Sequence, residues 1–427
     1  MDGYRRRVMD DLLKKKLQAK GAVLIEGPKW CGKTTTAEEI AASKVLLARA
    51  DVKSNFKSLL EIDADAALSG EAPMLIDEWQ TVPKLWDAVR YTVDHRRQMG
   101  QFILTGSAVP DRNAEKEREH SGVGRFAWLT MRPMSLYESG ESNGTVSLAE
   151  LFSAPQKLLE RNKLKLQDVA FLICRGGWPM SVGLPEEAAL EQAFDYYDAV
   201  TKEDVTKVDG VKRASARVQR LMRSYARHQG TQTSIATLKE DLKNNDVVTL
   251  DEDTIRTYLD ALQKIFVVED MPAWNPNLRS KTAIRSADTR YFVDPSIATA
   301  ALGLGPADLM NDLNTMGLLF ETMCVRDLRV FAEVMYGKVY HYRDKNGLEC
   351  DAVVHLRNGQ YGLIEIKLGG ETLINDGVKT LLALSEQIDT TRMNAPAFKM
   401  VLTAVGEYAY RRPDDGVYVV PIGCLKP

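Results

Sequence analysis

The sequence has few cysteines and places them far apart. Its 427 residues contain five, at Cys31, Cys174, Cys324, Cys350 and Cys424. No two of them form a C-x-x-C pair, which argues against a zinc site and against a disulfide framework. We therefore expect the five thiols to be reduced.

Long apolar runs are also missing. No run approaches the roughly 18 residues that a membrane span needs, and the arginine-rich start of the chain lacks the apolar core of a signal peptide. We therefore expect a cytoplasmic protein with no membrane partner.

Neither sign of charge is in large excess. The formal net charge is −3 at pH 7, which gives no overall attraction to nucleic acid or anionic lipid. Any binding of that kind therefore depends on a local basic patch. Residues 4–20 contain one basic run within a helical pattern, although a solvated helix face is the commoner outcome.

The most informative motif is GPKWCGKTT at residues 27–35. It fits G-x-x-x-x-G-K-[ST] without a mismatch, between an apolar run at 22–25 that predicts a strand and a predicted helix at 35–43, as in a phosphate-binding loop. We expect its backbone N–H groups to face triphosphate oxygens. Lys33 would reach the β- and γ-phosphates, and the Thr34 hydroxyl would bind Mg²⁺. The nucleotide-binding candidates are Gly27, Pro28, Lys29, Trp30, Cys31, Gly32, Lys33, Thr34 and Thr35.

An acidic motif follows at residues 73–78, with the sequence PMLIDE. Its apolar residues predict a buried strand that ends in Asp77 and Glu78, which is the Walker B pattern. At the carboxyl end of a strand, Asp77 would bind Mg²⁺ through its water shell, and Glu78 would polarise the attacking water. The pattern is common by itself and gains weight from the phosphate-binding loop that precedes it.

The next buried strand is predicted at residues 102–107, after a helix at 81–97, and it ends in hydroxyl side chains. Thr105 or Ser107 could lie between the Walker B acid and the γ-phosphate as a sensor, with an ordinary turn as the alternative. The densely charged residues 111–124 predict a loop or a short helix.

Several segments together resemble the prokaryotic AAA-type ATPases of the archaeal-ATPase and signal-transduction kind, whose C-terminal half is a domain of unknown function. They are the two motifs above, LTGS at 104–107, GR at 124–125, RPMSLYE at 132–138, CRGGWP at 174–179 and YFVDP at 291–295. The resemblance implies a nucleoside-triphosphate-binding core, but it implies no particular biological substrate. Arg125 or Arg132 would then contact the γ-phosphate as a sensor or finger, with a structural salt bridge as the alternative.

The middle of the chain is predicted to be mainly helical. Residues 146–205 have helical patterns, interrupted by GGWP, in which Trp178 is assigned to the core. Three helices and a strand at 266–269 then predict a winged helix, whose third helix could enter a DNA major groove. The exposed face of that helix, at 253–266, is mixed in charge, so nucleic-acid binding and a role as a lid or protein-contact surface both stay open.

The C-terminal part contains a second group of acidic residues. A predicted hairpin with two Asn-Gly turns carries Asp351, and the strand 361–367 ends in Glu365-x-Lys367. This arrangement resembles the PD-(D/E)XK nuclease fold. Glu365 and Lys367 share one face of their strand, and Asp351 can lie opposite them. Together with Glu321 from a preceding helix, the carboxylates could bind a second metal ion while Lys367 orients a water; cleavage and binding without cleavage both stay open.

The sequence therefore predicts an α/β protein whose function is ATP binding and Mg²⁺-dependent hydrolysis, used as a nucleotide-controlled switch with DNA or RNA as candidate partners. An ATP-gated, metal-dependent nuclease and a non-hydrolysing ATP-binding module of a larger assembly are the alternatives. The predicted catalytic residues are Lys33, Asp77, Glu78, Thr105 and Arg125. The predicted domains are a P-loop domain with a mainly parallel sheet at 1–145, a helical lid or connector at 146–212, a winged helix at 213–287 and a nuclease-like α/β domain at 288–427.

Overall fold

The computed structural model describes residues 3–108, 122–154, 158–207, 211, 213–244, 250–275 and 287–427. Within these ranges, no helix is both long and apolar enough to cross a membrane. The chain forms two compact units. Unit 1 comprises Met1–Pro133, Lys202–Arg213 and Asp260–Val267, and unit 2 comprises Met134–Thr201, Ala214–Leu259 and Val268–Pro427. The four domain boundaries predicted from the sequence stay a prediction.

Unit 1 is built on a five-stranded parallel sheet with the order β2-β3-β4-β1-β5. The strands are β1 (Ala22–Glu26), β2 (Ser43–Leu46), β3 (Met74–Asp77), β4 (Phe102–Gly106) and β5 (Phe126–Thr130). The helices are α1 (Met9–Ala19), α2 (Lys33–Glu38), α3 (Ala50–Ile62), α4 (Ala64–Ala67) and α5 (Leu85–Arg96). The predicted α/β class is confirmed.

The strands of unit 1 place their polar ends at one edge of the sheet. Strands β1 and β4 are almost entirely buried, as expected for parallel strands covered by helices on both faces. The register aligns Asp77 with Thr105. It also aligns Glu26 with Gly106 and with Thr130. The carboxyl ends of these strands therefore meet where the phosphate-binding loop begins.

The charged segment predicted as a loop or short helix lies mostly at residues 109–121, outside the described ranges. The helix predicted at residues 4–20 is shorter than expected, because α1 begins only at Met9. Its apolar face, which includes Leu12, Leu13 and Leu17, is buried as the pattern predicted.

Residues 134–264 form short and mostly helical elements. They are α6 (Leu136–Ser139), β6 (Val146–Ser147), α7 (Leu148–Ser153), β7 (Leu159–Arg161), α8 (Leu166–Arg175), α9 (Glu186–Ala199), a π-helix (Val200–Asp204), α10 (Val205–Lys207), α11 (Ser215–Arg227), α12 (Ile235–Asn244) and α13 (Glu252–Lys264). The elements that follow are α14 (Pro295–Leu302), α15 (Pro306–Asn311), α16 (Leu313–Val334), β8 (Gly337–Arg343), β9 (Glu349–Leu356), β10 (Tyr361–Lys367), α17 (Glu371–Gln387), β11 (Phe398–Thr403), β12 (Tyr408–Arg411), β13 (Tyr418–Pro421) and β14 (Leu425–Lys426).

Unit 2 contains a seven-stranded mixed sheet with the order β7-β12-β13-β11-β10-β9-β8. The predicted hairpin is present, since β8, β9 and β10 pair in antiparallel fashion. Strands β10, β11 and β13 are parallel to one another. Helix α17, which the sequence patterns did not predict, packs on β10 and β11.

The helical pattern predicted for residues 146–205 was wrong at two places outside the GGWP break. Strand β6 pairs with β14 in a two-stranded sheet, and β7 pairs with β12 at the edge of the seven-stranded sheet. Strands of two or three residues carry too few side chains to show alternation. Their pairing depends on partners far along the chain, which a local pattern cannot reveal.

Helices α11, α12 and α13 follow one another as a winged helix requires, but the strand predicted at 266–269 does not form. Phe266 has a positive φ of 59°, and Val268 makes only an isolated bridge, with Phe292. A second bridge joins Met271 to Thr289. Residues 276–286 lie outside the described ranges, so the winged helix stays a prediction.

Two segments that carry the family resemblance meet in the core of unit 2. The Asp294 carboxylate accepts a hydrogen bond from the Gly177 N–H at 3.0 Å and pairs with Arg326 at 2.8 Å. The indole N–H of Trp178 donates to the Ser296 hydroxyl at 2.9 Å. Trp178 is only 1% exposed, which agrees with its predicted place in the core.

Candidate functional site

The phosphate-binding loop connects β1 to α2, as the motif predicted. At Gly27 the backbone passes so close to β5's C-terminal extension that an added Cβ would lie 2.0 Å from the Met131 carbonyl oxygen. Only glycine fits there. Of the other loop residues, Pro28, Cys31 and Lys33 are buried, Gly32 and Thr34 are intermediate, and Lys29, Trp30 and Thr35 are exposed.

Lys33 is held by the loop that precedes it. Its ammonium group donates to the carbonyl oxygens of Gly27 at 2.9 Å and Pro28 at 2.7 Å, and the residue is only 6% exposed. These partners are neutral, so the positive charge is not cancelled by a carboxylate. A cation held in this way at a glycine-containing loop is suited to an anionic ligand such as a phosphate.

Asp77 accepts two hydroxyl groups at the carboxyl end of β3. Thr34 Oγ1 donates to Asp77 Oδ1 at 2.7 Å, and Thr105 Oγ1 donates to the same oxygen at 2.6 Å. A carboxylate and a threonine hydroxyl side by side are the hard oxygen donors that Mg²⁺ prefers. The donor set therefore fits the predicted ion.

Glu78 follows directly and is also held by neutral groups. Its backbone is left-handed, with φ of +55°, and its Oε2 accepts hydrogen bonds from Ser107 at 2.9 Å and from the Gln80 amide. Thr105 and Ser107, the two sensor candidates, thus each contact one acidic residue of the Walker B motif. Sensor and structural roles remain compatible with these contacts.

The placement of Arg125 contradicts its predicted catalytic role. Arg125 immediately precedes β5, whose first residue pairs with Ala22 at the amino end of β1. A five-residue strand spans roughly 16 Å, so Arg125 lies at the edge of the sheet opposite the loop. Its guanidinium pairs with Asp94 at 2.8 Å on the surface. The structural salt bridge weighed as the alternative is what the chain forms.

Arg132, the other arginine considered, follows β5 at the same edge as the loop. It is buried, and its carbonyl oxygen accepts a hydrogen bond from Arg7 at 2.8 Å. The second guanidinium nitrogen of Arg7 donates to the Cys31 carbonyl within the loop at 2.6 Å. Arg7 thereby joins the loop to the segment after β5. Arg7 was not predicted to contact the loop, because nothing in the basic run distinguishes it from Arg5 and Arg6.

A second contact of the loop was also missed. The exposed Lys29 ammonium pairs with the Asp204 carboxylate at 2.5 Å, and the Asp204 side chain is only 11% exposed. Asp204 ends the π-helix Val200–Asp204, a rare element that is frequent at functional sites. Sequence distance hides this pair, since no local pattern connects the two residues.

The four residues of the predicted second site come together in unit 2. Lys367 Nζ lies 2.7 Å from Glu365 Oε2 and 3.1 Å from Asp351 Oδ2. Asp351 also accepts a hydrogen bond from the Ile366 N–H at 2.7 Å, which fixes it across the strand pair. Glu321, from α16, accepts a hydrogen bond from the Tyr291 hydroxyl.

Burial dominates the electrostatics of this cluster. Burial and the nearby Asp351 charge raise the pKa of Glu321 well above its usual range, and the same two causes raise the pKa of Glu365 to about 8. Burial opposes the charge of Lys367, but the Asp351 and Glu365 carboxylates together raise its pKa. The cluster thus concentrates acidic groups that are costly to ionise together.

One atom of the cluster lacks a hydrogen-bond partner. Glu365 Oε1 is buried and accepts no hydrogen bond from the described residues, as would suit an oxygen that binds an ion. Among those residues, however, no group of three or more His, Cys, Asp or Glu side chains is placed to hold a metal. Lys367 already pairs with two of the carboxylates. A metal at this second site stays a prediction.

Three family models match consecutive parts of the chain. Residues 19–140 match a family described as AAA domain. Residues 166–308 match a domain of unknown function, DUF8612, and residues 316–425 match another, DUF4143. The first match contains the phosphate-binding loop and the Walker B strand, and the third contains all four residues of the predicted second site.

Two uncharacterised mycobacterial proteins, one from Mycobacterium bovis and one from Mycobacterium tuberculosis, resemble the chain over most of its length. Each is 25% identical over 378 residues, covering 87% of this chain and 75% of the relative. Their names describe no activity.

Two solved structures also match, at low similarity. The Walker-type ATPase PABY2304 of Pyrococcus abyssi has a TM-score of 0.43 and 15% identity, covering 70% of this chain and 96% of its own. AMPPCP-bound DnaA from Aquifex aeolicus has a TM-score of 0.28 and 12% identity, covering 62% and 89%.

Proposed function

We propose that this chain, whose N-terminal part is an AAA-type P-loop ATPase domain, binds and hydrolyses ATP with Mg²⁺ and uses the nucleotide as a switch for an action on nucleic acid. The observation that supports this most directly is the convergence of the Thr34 and Thr105 hydroxyls on one oxygen of Asp77. These contacts join the phosphate-binding loop to two neighbouring strand ends.

Each residue of the site has a distinct role in the proposed reaction. Lys33 would exchange its loop carbonyl partners for phosphate oxygens, where its charge offsets that of the triphosphate. Thr34 and Asp77 would hold Mg²⁺, which, when bound, neutralises phosphate charge. Glu78 would orient a water and accept its proton. Ser107 would keep the Glu78 carboxylate in position through the hydrogen bond described above.

The Lys29–Asp204 pair supports the switch. A triphosphate on the loop attracts the Lys29 ammonium and competes with Asp204 for it. Loss of this pair would release the end of the π-helix from the loop. Nucleotide binding and hydrolysis would thereby break and restore the Lys29–Asp204 contact. This change requires no movement of the strands of the sheet.

Phosphate release from ATP tests the proposal. The purified full chain should release phosphate in the presence of Mg²⁺, and Glu78→Gln should reduce turnover by roughly 10²- to 10⁴-fold, the usual contribution of a general base, while ATP binding remains. Glu61→Gln, a partly exposed residue of α3, is the matched control. ATP binding without release under any condition would instead support the non-hydrolysing module.

A second candidate function is divalent-metal-dependent cleavage of a nucleic-acid strand, gated by ATP. The buried Glu365 Oε1 without a partner favours it. Glu365 and Asp351 would exchange their contacts with Lys367 for contacts with the ion, and Lys367 would orient a water. Asp351→Ala or Lys367→Ala should abolish nicking of DNA or RNA and leave phosphate release from ATP intact. A wild-type protein that binds nucleic acid without cutting it would contradict this candidate.

A further inference from the structure

Helix α11 of unit 2 is unusual in its charge. Its sequence SARVQRLMRSYAR contains Arg217, Arg220, Arg223 and Arg227 and no acidic residue, whereas the whole chain has a net charge of −3. Because the net charge of the chain is slightly negative, binding of nucleic acid requires a local basic patch, and α11 provides one. Its meaning depends on where the helix directs these side chains.

The arginines lie on the solvent face of α11. The opposite face is apolar and buried, with Val218, Leu221, Met222 and Tyr225 among its residues, and the helix packs on α12 and α14. All four arginines are exposed. Arg217, Arg220 and Arg223 follow at intervals of three residues and form a row about 9 Å long, which we call the arginine stripe.

Acidic groups on neighbouring helices lie beside the stripe. Arg227, beyond its end, pairs with Asp241 of α12 at 2.8 Å. Arg223 donates to the Leu302 carbonyl at 3.4 Å, and both Arg223 and Asp198 of α9 influence the pKa of Tyr197. Asp198 and Asp241 are therefore the acidic groups that these contacts place beside α11, and both lie on other helices.

The stripe is unfavourable for the helix itself. Like charges three residues apart on a helix repel each other, and a positive charge near the amino end opposes the helix dipole. A solvated face could be formed by any polar residue. A ligand with negative charge would offset this repulsion.

The position of α11 relative to the acidic cluster supports a phosphodiester ligand. Gly230 follows the end of α11 by three residues, and a Cβ added there would lie 3.0 Å from the Glu321 carboxylate oxygens. The helix thus runs toward Glu321, whose neighbours include Asp351, Glu365 and Lys367. A strand bound along the stripe would lead to the residues of the second candidate function.

We propose that the arginine stripe binds the phosphate backbone of a nucleic-acid strand. The guanidinium group is planar and binds phosphate through two parallel hydrogen bonds, and a row of about 9 Å corresponds to roughly three nucleotides at about 3.4 Å each. A membrane-binding helix needs an exposed apolar face, but that of α11 is buried. This inference rests on the nucleic-acid part of the proposed function and not on ATP hydrolysis, and it assigns binding to the first helix rather than to the third, α13.

Salt-dependent binding of the full chain tests the proposal. The probes are fluorescent 30-nucleotide single-stranded DNA, duplex DNA and single-stranded RNA, titrated between 50 and 200 mM salt. The triple variant R217Q/R220Q/R223Q should lower the slope of log K against log salt by roughly 2 to 3 for loss of three phosphate contacts, and weaken binding at 0.1 M salt by at least about 10-fold. R357Q/K379Q/R392Q removes three exposed charges elsewhere on unit 2 and should change the affinity by less than about 2-fold.

Two further variants keep the test decisive if the triple variant does not fold. R220Q alone should lower the slope by roughly 0.7 to 0.9, and R217K/R220K/R223K should retain the slope, because the charge is kept. Absence of binding by the wild-type chain to all three probes, or equal losses in the stripe and control variants, would overturn the proposal. Binding of anionic vesicles or of an acidic protein in place of nucleic acid would overturn it as well.

Phosphate release from ATP, measured on the same preparations, separates the two proposals. Wild-type chain that binds nucleic acid through the stripe but releases no phosphate would contradict the ATPase and leave the stripe standing. A wild-type chain that hydrolyses ATP but shows no stripe-dependent binding would contradict the stripe and leave the ATPase standing.

Discussion

The two sites each contain a lysine and acidic residues, yet they handle the charge of the lysine in opposite ways. In unit 1, Lys33 is bound by neutral carbonyls and Asp77 by neutral hydroxyls. In unit 2, Lys367 pairs directly with Asp351 and Glu365. The first site keeps opposite charges available for separate ligands, whereas the second neutralises them internally.

The difference bears on what each site can bind. A phosphate or a metal ion entering the first site replaces hydrogen bonds to neutral groups, which contribute modestly. A ligand entering the second must first separate ion pairs whose breaking is costly in a buried place. Four predictions use single substitutions to test this contrast.

The largest expected effect is on stability in unit 2. Lys367→Met leaves the buried Glu365 and the partly buried Asp351 without their counter-charge, so the free energy of unfolding should fall by about 3–5 kcal/mol at neutral pH. Urea unfolding of the full chain measures it. Lys379→Met breaks an exposed i,i+3 pair on α17 and should cost less than about 1 kcal/mol. Equal effects of the two substitutions would contradict the internal neutralisation.

The corresponding substitution in unit 1 should be milder for stability and more severe for ligand binding. Lys33→Met leaves two carbonyl oxygens without their donor, which costs about 1–3 kcal/mol. Because the charge that faces the phosphates is lost, ATP should bind roughly 10- to 100-fold more weakly, as measured by calorimetry. The exposed Lys44, paired with Glu38, provides the control Lys44→Met, which should bind ATP normally.

The third expected effect is on the pH dependence of stability. The raised pKa of Glu321 means that the folded protein keeps a proton that the unfolded chain releases above about pH 4.5. Stability from this group is therefore lost as the pH rises. Glu321→Gln keeps an acceptor for the Tyr291 hydroxyl and removes the titration of residue 321. The wild-type protein should therefore lose stability relative to this variant as the pH rises from 4 to 8. For a pKa shift of one unit or more, the difference in the free energy of unfolding should change by at least about 1.4 kcal/mol. A constant difference in urea unfolding across this range would refute the assignment.

The smallest expected effect concerns the contact between the loop and the π-helix. Asp204→Asn frees Lys29 from its ion pair, so ATP should bind about 2- to 5-fold more tightly, in keeping with the energy of about 0–1 kcal/mol for an ion pair near the surface. Asp51→Asn, which breaks an exposed pair with Arg49, should leave the affinity unchanged. Weaker ATP binding by Asp204→Asn would mean that Asp204 supports the loop instead of competing with the nucleotide.

The sequence predicted those parts of the two sites that depend on neighbours in the chain. Lys33 and Thr34 are adjacent in a motif, Asp77 ends an apolar strand, and Glu365 and Lys367 share a strand face. Short spacing determines such geometry, and the structure brings these residues together as expected. Of the strands in the seven-stranded sheet, β7 and β12 were not predicted, since they carry no periodic signal of their own.

Residues whose role depends on tertiary distance were mispredicted or missed. Arg125 lies at the wrong edge of the sheet, because a motif records its position in the sequence but not which end of a strand it occupies. Arg7 contacts the loop from before α1, and the arginine stripe is visible only once the buried face of α11 is known. Packing, and not the number of arginines in a chain, determines which of them are placed to bind phosphate.

The pairing of β6 with β14 has a consequence for protein synthesis. The Ser147 hydroxyl, at the end of β6, donates to the Pro427 carbonyl, 280 residues later. At roughly 5–20 residues per second, a ribosome needs about 15–60 seconds to make the intervening chain. During that time β6 and β7 have been translated but their strand partners have not, so unit 2 cannot complete its sheets until translation has reached the far end of this sequence.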